Sequence, residues 1–349
     1  MIKRIFIFIA IILVNTACKP VQPVFNDNFP TQDCIAEISI VSIDKATGQR
    51  IVKAINDDFA YLDRNWRVGG GGDIDRVNNL LPNLQPIAIA PSLIPLIKLS
   101  QLFATQSSGL FNPAAGKLME LWGFHREQVE HHALPSAYSL QSIMQSLPKM
   151  RDLNLSGIIL SSNHPNIKLD FSGLLQGYGV DLAIARIREF GIRNAAVKIE
   201  GVLRAIGNRD GQPWRIPIHR PAGGGIIAFV ELNSDESMVT IGNYERSFLN
   251  NNRRYHEIID PRTGYPALQT KVVCVLYPNA VTADAAAYAL FVAGPSNWIQ
   301  VAKDMQLHYV LLVDNSGVLY MTKEMYDRLK LLDRYAKIHI SEPFESLPN

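Results

Sequence analysis

The chain has 349 residues, and hydrophobic residues make up 47% of them, which is enough for a sizeable globular core. With 34 basic and 32 acidic residues the net charge is +2, and the basic residues form no stripe, so the composition argues against a nucleic-acid-binding protein. The three cysteines, Cys18, Cys34 and Cys274, have no CxxC spacing, which argues against a zinc site.

The N-terminus has the order of a bacterial lipoprotein signal. A basic pair at 3–4 precedes an apolar run at 5–14 that is too short for a comfortable membrane span, and two small residues then lead to Cys18. We expect residues 1–17 to be a signal peptide and Cys18 to carry a lipid. A plain signal peptide and an uncleaved anchor are the alternatives, and all of them place the bulk of the chain outside the cytoplasm.

The remainder divides into a short polar segment and one large domain. Residues 18–33 are rich in Pro, Asn, Asp and Gln and lack periodicity, which predicts a flexible tether. Residues 34–349 are expected to form one domain. In an oxidising compartment Cys34 and Cys274 could pair, but isolated cysteines with apolar neighbours are more often buried and inert, so both outcomes stay open.

Apolar periodicity predicts an α+β fold with mostly antiparallel strands. Predicted helices cover 46–65, 93–106, 137–149, 178–190, 282–292 and 296–304. Predicted strands cover 34–43, 157–160, 195–199, 202–206, 214–218, 226–233, 238–241, 253–259, 271–277, 308–313 and 318–321. The segment 167–173 is predicted to be a strand that ends in a turn.

The segment LDFSGLLQGYGVDLAIARI has a layout suited to binding an anion. Asp170 ends the predicted strand, a glycine-bearing turn follows, and a helix begins. Free backbone amides at a helix start can hold a diphosphate. Taken alone, the same segment is more often a purely structural strand–turn–helix connection.

The segment YHEIIDPRTGYP, residues 255–266, joins a short predicted strand to a tight polar turn. Arg262 could donate a forked pair of hydrogen bonds to a phosphate, and Gly264 would let backbone approach closely. The Asp260 carboxylate could equally cap the turn, so a structural turn remains the competing interpretation.

The segment TADAAAYALFVAG predicts an alanine-rich helix with Asp284 in its first turn. A carboxylate there is usually a cap, because the helix dipole favours negative charge at that end. It becomes a candidate magnesium ligand if a diphosphate lies nearby, since Mg²⁺ is bound by carboxylates together with substrate phosphates.

Taken in order, a set of segments resembles the ApbE family of FAD:protein FMN transferases over roughly residues 34–325. The segments are LFNPAAGKLMELWGF, LDFSGLLQGYGVD, GQPWRIPI, GNYERSF, YHEIIDPRTGYP and VTADAAAYALFVAGP. The resemblance implies a T-fold-like core and a protein exported to the periplasmic face of the inner membrane. It also implies that FAD is cleaved with Mg²⁺, that FMN is attached through a phosphoester to a threonine of a target flavoprotein, and that AMP is released.

The resemblance also assigns residues. It implies a metal site formed by Asp284 and the backbone carbonyl of Leu175, with Tyr288 as a doubtful third ligand. Asp284, Glu257 and Arg262 are the catalytic candidates. The cofactor-binding candidates are Phe111, Asn112, Asp170, Gln176, Asp260, Thr263 and Gly264.

Several polar positions depart from the family. Glu257 stands where the family commonly has a histidine, and the adjacent His256 faces the other side of a strand. Tyr288 replaces a short hydroxyl one turn after Asp284, and NWRV at 65–68 replaces a flavin-contacting Ser-Thr-Tyr region. These changes leave three functions open: an active transferase, a catalytically degenerate flavin-binding or structural envelope protein, and a phosphohydrolase that cleaves FAD without an acceptor.

Overall fold

The computed structural model describes residues 22–31, 34–124, 134–221, 223, 225–244, 246–333 and 336–344. The expected signal peptide and Cys18 lie outside these described residues. Within them, no helix combines the length and the apolar character that crossing a membrane requires.

The described chain alternates helices with many short strands. Its helices are α1 (Lys45–Trp66), α2 (Asp73–Leu80), α3 (Leu93–Gln106), α4 (Gly116–Trp122), α5 (Ala137–Met144), α6 (Ser172–Glu189), α7 (Ala280–Asp304) and α8 (Lys323–Arg328). The strands up to residue 219 are β1 (Val24–Pro30), β2 (Ile35–Val41), β3 (Ile87–Ala88), β4 (Leu153–Ser156), β5 (Ile159–Ser162), β6 (Ala195–Ile199), β7 (Val202–Ile206) and β8 (Trp214–His219). The later strands are β9 (Ile226–Leu232), β10 (Glu236–Gly242), β11 (Ser247–Asn250), β12 (Arg253–His256), β13 (Thr270–Tyr277), β14 (Tyr309–Asp314), β15 (Leu319–Met321), β16 (Lys330–Leu331) and β17 (Ile338–Ile340).

A nine-stranded sheet in the order β1-β2-β6-β7-β10-β13-β14-β15-β17 organises the fold. Its neighbouring strands are antiparallel except for the parallel pair β15–β17. The α+β prediction is therefore confirmed.

Side-chain alternation along β13 shows how the sheet separates two apolar cores. Val273 and Val275 pack with α1, α6 and α7 on one face. On the opposite face Val272, Cys274 and Leu276 pack with β8, β9 and α8. Cys274 is fully buried in that second core, and burial raises the pKa of its thiol to about 12.

No disulfide joins Cys34 to Cys274, and both residues lie in the described chain. Cys34 packs against the helix-covered core, whereas Cys274 belongs to the core on the other face of the sheet. Cys274 therefore behaves as a buried, inert thiol, which was the second of the two outcomes left open.

The prediction of a flexible tether at 18–33 is wrong for residues 24–30. These residues form β1, which pairs antiparallel with β2 over its whole length. Phe29 is 4% exposed and its ring meets that of Phe59 on α1 edge-on, at 5.5 Å between centroids. Because β1 is an edge strand, Pro30 at its end interrupts no inner ladder.

The strand and turn predicted at 167–173 are also wrong, because α6 begins at Ser172 and already includes the glycine-bearing part of the segment. Glycine has low intrinsic helix propensity, so the sequence around Gly173, Gly177 and Gly179 did not predict that the helix begins this early. Packing against neighbouring elements stabilises the helix instead.

The two helices predicted at 282–292 and 296–304 are both present, as the two parts of α7 that meet at the non-helical backbone of Gly294. Gly294 has φ +68°, and Pro295 follows it. The helix starts at Ala280, so Asp284 lies in its second turn and not in its first, and the cap is Asn279, whose Oδ1 accepts from the Thr282 amide at 2.9 Å.

Candidate functional site

A cavity of about 990 Å³ opens between the helices and the sheet. This volume is at the upper end of the range of about 300–1,000 Å³ typical of small-molecule sites. Its walls include Trp66 of α1, Leu175 and Gln176 of α6, and Tyr288 of α7. A phenol at 288 that filled this space would exclude a large ligand, but the ring is part of the wall and the cavity stays open.

The closest approach of α6 to α7 lies beside this cavity. The Gly177 amide donates to Asp284 Oδ2 at 2.9 Å. A Cβ placed on Gly177 would lie 2.5 Å from the Ala280 carbonyl oxygen and 2.8 Å from the Asp284 Cβ. Only glycine lets the helices approach this closely, and the approach brings the Asp284 carboxylate to its donor.

The Asp284 carboxylate lies in an acidic and nearly dry environment. It is 2% exposed, and burial raises its pKa to about 8. The Gly177 hydrogen bond opposes this rise, whereas the negative charges of Asp181, Glu200 and Glu257 add to it. A divalent cation bound there would relieve this repulsion, which is the electrostatic condition a metal-binding carboxylate needs.

The donor atoms near Asp284 fit Mg²⁺ better than a softer metal. No group of three His, Cys, Asp or Glu side chains capable of holding a metal occurs in the described part of the chain. Of the two ligands that the family resemblance implies, Leu175 lines the cavity, whereas Asp284 is 2% exposed and is not among the residues of its wall. Both would offer oxygen atoms, from a carboxylate and a backbone carbonyl. Mg²⁺ prefers few protein oxygens and completes its shell with waters and substrate phosphates.

The structure changes the expected role of Arg262. Its guanidinium binds Asp260, with Nη2 2.7 Å from Oδ2 and Nε 2.9 Å from Oδ1. Nη2 also donates to the Val292 carbonyl at 2.9 Å. Arg262 is absent from the cavity wall, so the fork expected to bind a phosphate instead ties the turn to α7.

Thr263 and Gly264 also belong to the scaffold. The Gly264 carbonyl accepts from Trp122 Nε1 at 2.7 Å, and its φ of +76° suits glycine. Thr263 is exposed and accepts from the Tyr265 amide at 3.2 Å. The DPRTG segment therefore folds as a structural turn, which was the competing interpretation.

Phe111 and Asn112 occupy similar structural positions. Phe111 is 5% exposed and its ring meets that of Phe103 edge-on, at 6.3 Å between centroids. Asn112 donates from Nδ2 to the Pro148 carbonyl at 2.8 Å. Neither residue lines the cavity, so neither is placed to contact a ligand there.

Asp170, Gln176 and Glu257 do line the cavity, as a cofactor site requires. Asp170 Oδ1 accepts from the Ser172 amide at 3.0 Å and so caps the start of α6. Gln176 donates from Nε2 to Glu200 Oε2 at 2.9 Å. Three of the predicted site residues are thus brought together with Leu175 and Tyr288.

His256 faces away from the cavity, as strand alternation predicts. It is 3% exposed, its Nε2 is 2.8 Å from the Ala267 carbonyl oxygen, and its ring meets that of Phe291 edge-on. Burial lowers its pKa to about 4, so the imidazole is neutral near pH 7. His256 therefore cannot replace the histidine whose position Glu257 occupies.

Sequence reasoning missed several cavity residues. Arg67, Lys198, Glu200, His219 and Arg246 all line the cavity. They lie at strand ends and in loops, where periodicity carries no information about which side chains converge. Two of them had a signal: Arg67 belongs to the NWRV segment that replaces a flavin-contacting region, and Arg246 belongs to the GNYERSF segment of the family resemblance.

The model of the ApbE family matches residues 33–311. The chain belongs to the ApbE family. It is similar to an FAD:protein FMN transferase of Rhodobacter capsulatus, with 31% identity over 311 residues. That alignment covers 89% of this chain but 59% of the relative, so the chain spans less than two thirds of that protein's length.

Solved ApbE structures share the fold over most of the chain. The apo flavinyl transferase ApbE of Pseudomonas stutzeri superposes with a TM-score of 0.77 at 26% identity, covering 88% of this chain and 97% of that one. An ApbE protein of Thermotoga maritima gives a TM-score of 0.78 at 27% identity, covering 88% and 99%. The predicted family resemblance is therefore confirmed.

Proposed function

We propose that this protein is an FAD:protein FMN transferase that cleaves FAD and attaches FMN to a threonine of an acceptor flavoprotein. The observation that carries the proposal is the open cavity of about 990 Å³ beside the α6–α7 contact that buries Asp284. The cavity is large enough for a dinucleotide, and the family relatives named above are flavin transferases.

The reaction is a displacement at the phosphorus of the FMN half. A bond forms between that phosphorus and the threonine Oγ, the bond to the bridging oxygen breaks, and AMP leaves with that oxygen. The threonine proton passes to a base, and we assign this role to Glu257, which is one of four carboxylates on the cavity wall with Asp63, Asp170 and Glu200. Most of the rate enhancement in such transfers comes from positioning and charge stabilisation.

Magnesium would be held by the Asp284 carboxylate and the Leu175 carbonyl. When bound, it supplies positive charge to the diphosphate oxygens. Gln176 and Asp170 would contact the ligand from the cavity wall. The Glu200 carboxylate orients the Gln176 side chain. Tyr288, one turn after Asp284, is part of the cavity wall.

The remaining parts of the proposal concern location and partners. We place the protein at the cell envelope, anchored through a lipid on Cys18 to the inner membrane and facing the periplasm. The support is the order of basic, apolar and small residues before Cys18. The acceptor is a flavoprotein that presents its threonine at the mouth of the cavity.

One alternative has a specific observation behind it. The Tyr288 ring lines the cavity at the position of a short hydroxyl, and a Cβ on Gly173 would lie 3.4 Å from that ring. A bulky phenol beside Asp284 favours a protein that binds a flavin without cleaving FAD.

The test combines purified protein, FAD, Mg²⁺ and an acceptor peptide that contains one threonine. AMP is measured by chromatography, and the peptide mass is measured for an added FMN. AMP with flavinylated peptide supports the transferase, and AMP with free FMN indicates a hydrolase. A yellow protein without AMP indicates a binding protein. Asp284→Asn is the control variant, expected to bind less metal and release no AMP.

A further inference from the structure

Asp181, in the GYGVD part of α6, has contacts that its motif did not predict. Its side chain is 18% exposed and lies outside the cavity wall. Oδ1 accepts from the Ala280 amide at 2.8 Å, and Oδ2 accepts from the Val281 amide at 3.0 Å. A carboxylate from α6 therefore binds the first two amides of α7, where the helix dipole favours negative charge.

Arg204 of β7 holds this carboxylate in place. Its Nη1 donates to Asp181 Oδ1 at 2.6 Å, and its Nη2 donates to Asp235 Oδ1 at 2.7 Å. The Arg204 side chain is only 12% exposed. Because Arg204 belongs to β7, Asp181 is bound to the sheet as well as to α7. Asp235 also pairs with Arg188 of α6 at 2.6 Å.

Two links therefore join α6 to α7, one helical turn apart on each helix. Gly177 binds Asp284, and Asp181 binds Ala280. Positions i and i+4 lie on the same face of a helix, so both links lie on the facing sides. A single link would allow α7 to slide or tilt, whereas two fix its register along α6.

We propose that Asp181 is a positioning residue that sets the register of α7 so that the Asp284 carboxylate lies against α6, where the metal is to bind. The metal part of this inference rests on the proposed function. Asp181 acts through the first amides of α7 and does not touch the ligand. Asn279, the cap of α7, accepts from the Thr282 amide, whereas Asp181 reaches the Ala280 and Val281 amides from another helix and so also links α7 to α6.

Asn279 also offers a matched control. Asn279→Ala removes a cap from the same helix but leaves the α6–α7 link intact. Asp181→Asn keeps the side-chain shape but loses its charge and one of its two acceptor oxygens. Loss of the Asn279 cap costs about 1 kcal/mol. Asp181→Asn also removes the charge that pairs with the 12% exposed Arg204 side chain, so it should lose more stability, and both variants are compared well below their unfolding temperatures.

The first readout is binding of Mn²⁺ to protein saturated with FAD, followed by electron paramagnetic resonance. We expect Asp181→Asn to weaken binding about tenfold or more, as loss of an outer-sphere partner does, and Asn279→Ala to change it less than about twofold. Equal affinities in the two variants, or a wild-type protein that binds no Mn²⁺, would overturn the metal part of the proposal.

The second readout, hydrogen exchange of the Gly177 amide, needs neither metal nor turnover. We expect faster exchange in Asp181→Asn than in Asn279→Ala, because Gly177 loses its acceptor when α7 shifts. If Asp181→Asn does not fold, Asp181→Glu replaces it, with faster exchange expected because the longer side chain displaces α7.

The two readouts separate the possible failures. If the wild-type protein releases no AMP but the two variants differ in exchange of the Gly177 amide, the proposed function is refuted and the positioning role of Asp181 is supported. If the wild-type protein is active but the Asp181 and Asn279 variants give the same result in both readouts, the positioning role is refuted.

Discussion

Gly177→Ala is the substitution whose consequence the structure defines most sharply. The added Cβ would lie 2.5 Å from the Ala280 carbonyl oxygen, whereas ordinary contacts begin at 3.4 Å. The neighbouring atom belongs to the backbone of α7, so no rotamer change relieves the clash. The two helices must separate by nearly 1 Å at this point.

This separation has an energetic and a catalytic consequence. Overpacking costs about 1–3 kcal/mol, and replacing a helical glycine by alanine returns about 0.5–1 kcal/mol. We expect a net loss of about 1–2 kcal/mol of unfolding free energy. The Gly177–Asp284 hydrogen bond of 2.9 Å would break. A misplacement of about 1 Å can lower activity about 100-fold, so activity should fall far more than stability.

The assay measures AMP release from FAD with Mg²⁺ and thermal unfolding on the same preparations. Gly179→Ala is the matched control, because its Cβ would clash at 2.7 Å with the Phe59 ring on α1 and not with α7. We expect similar stability loss in the control with most of the activity kept. Wild-type activity in Gly177→Ala, or equal activity losses in both variants, would refute the role assigned to the α6–α7 contact.

Three other predictions follow from the site. Arg262→Ala should lower the unfolding free energy by about 1–3 kcal/mol with the KM for FAD unchanged, because the buried Asp260 carboxylate loses the guanidinium and keeps the amide of residue 262 as a donor; a raised KM at full stability would restore the phosphate-binding role. The folded-state pKa of His256 is about 4 against an ordinary 6.5. The stability that is present above pH 6.5 is therefore lost as the pH falls towards 4, by about 3 kcal/mol of unfolding free energy at most. In an acid titration the unfolding free energy of His256→Gln should fall less steeply with pH than that of the wild type. Glu257→Gln should lower kcat about 100- to 10,000-fold with FAD binding kept, and an unchanged kcat would remove Glu257 as the base.

The sequence predicted the sheet well because β-strand alternation is local. The run TKVVCVLY of β13 alternates between two cores, and its bounds fall within one residue of the prediction. The start of α6 could not be predicted in the same way. Its glycines are required by the close approach of Ala280 and the Phe59 ring, which are distant in sequence, and local propensity argues against a helix there.

In the candidate site, too, local sequence patterns predicted some features, and contacts between distant segments determined the others. The types and order of the motif residues placed Asp170 and Gln176 on the cavity wall, although Asp284 is buried behind it. The partner of Arg262 could not be predicted, because a guanidinium has the same chemistry for a phosphate and for a carboxylate two residues away. In the structure the guanidinium binds Asp260.

The departures from the family pattern are not spread evenly over the structure. The contact that orients Asp284 is a hydrogen bond from the Gly177 amide at 2.9 Å, and neither residue belongs to the cavity wall. The departures at Glu257, Tyr288 and Trp66 all lie on the cavity wall. The hydrogen bond from the Gly177 amide fixes the orientation of Asp284, whereas the changed residues are those that a ligand in the cavity would contact. This distribution is consistent with the proposed transferase if the wall residues have changed to suit its own ligand or acceptor.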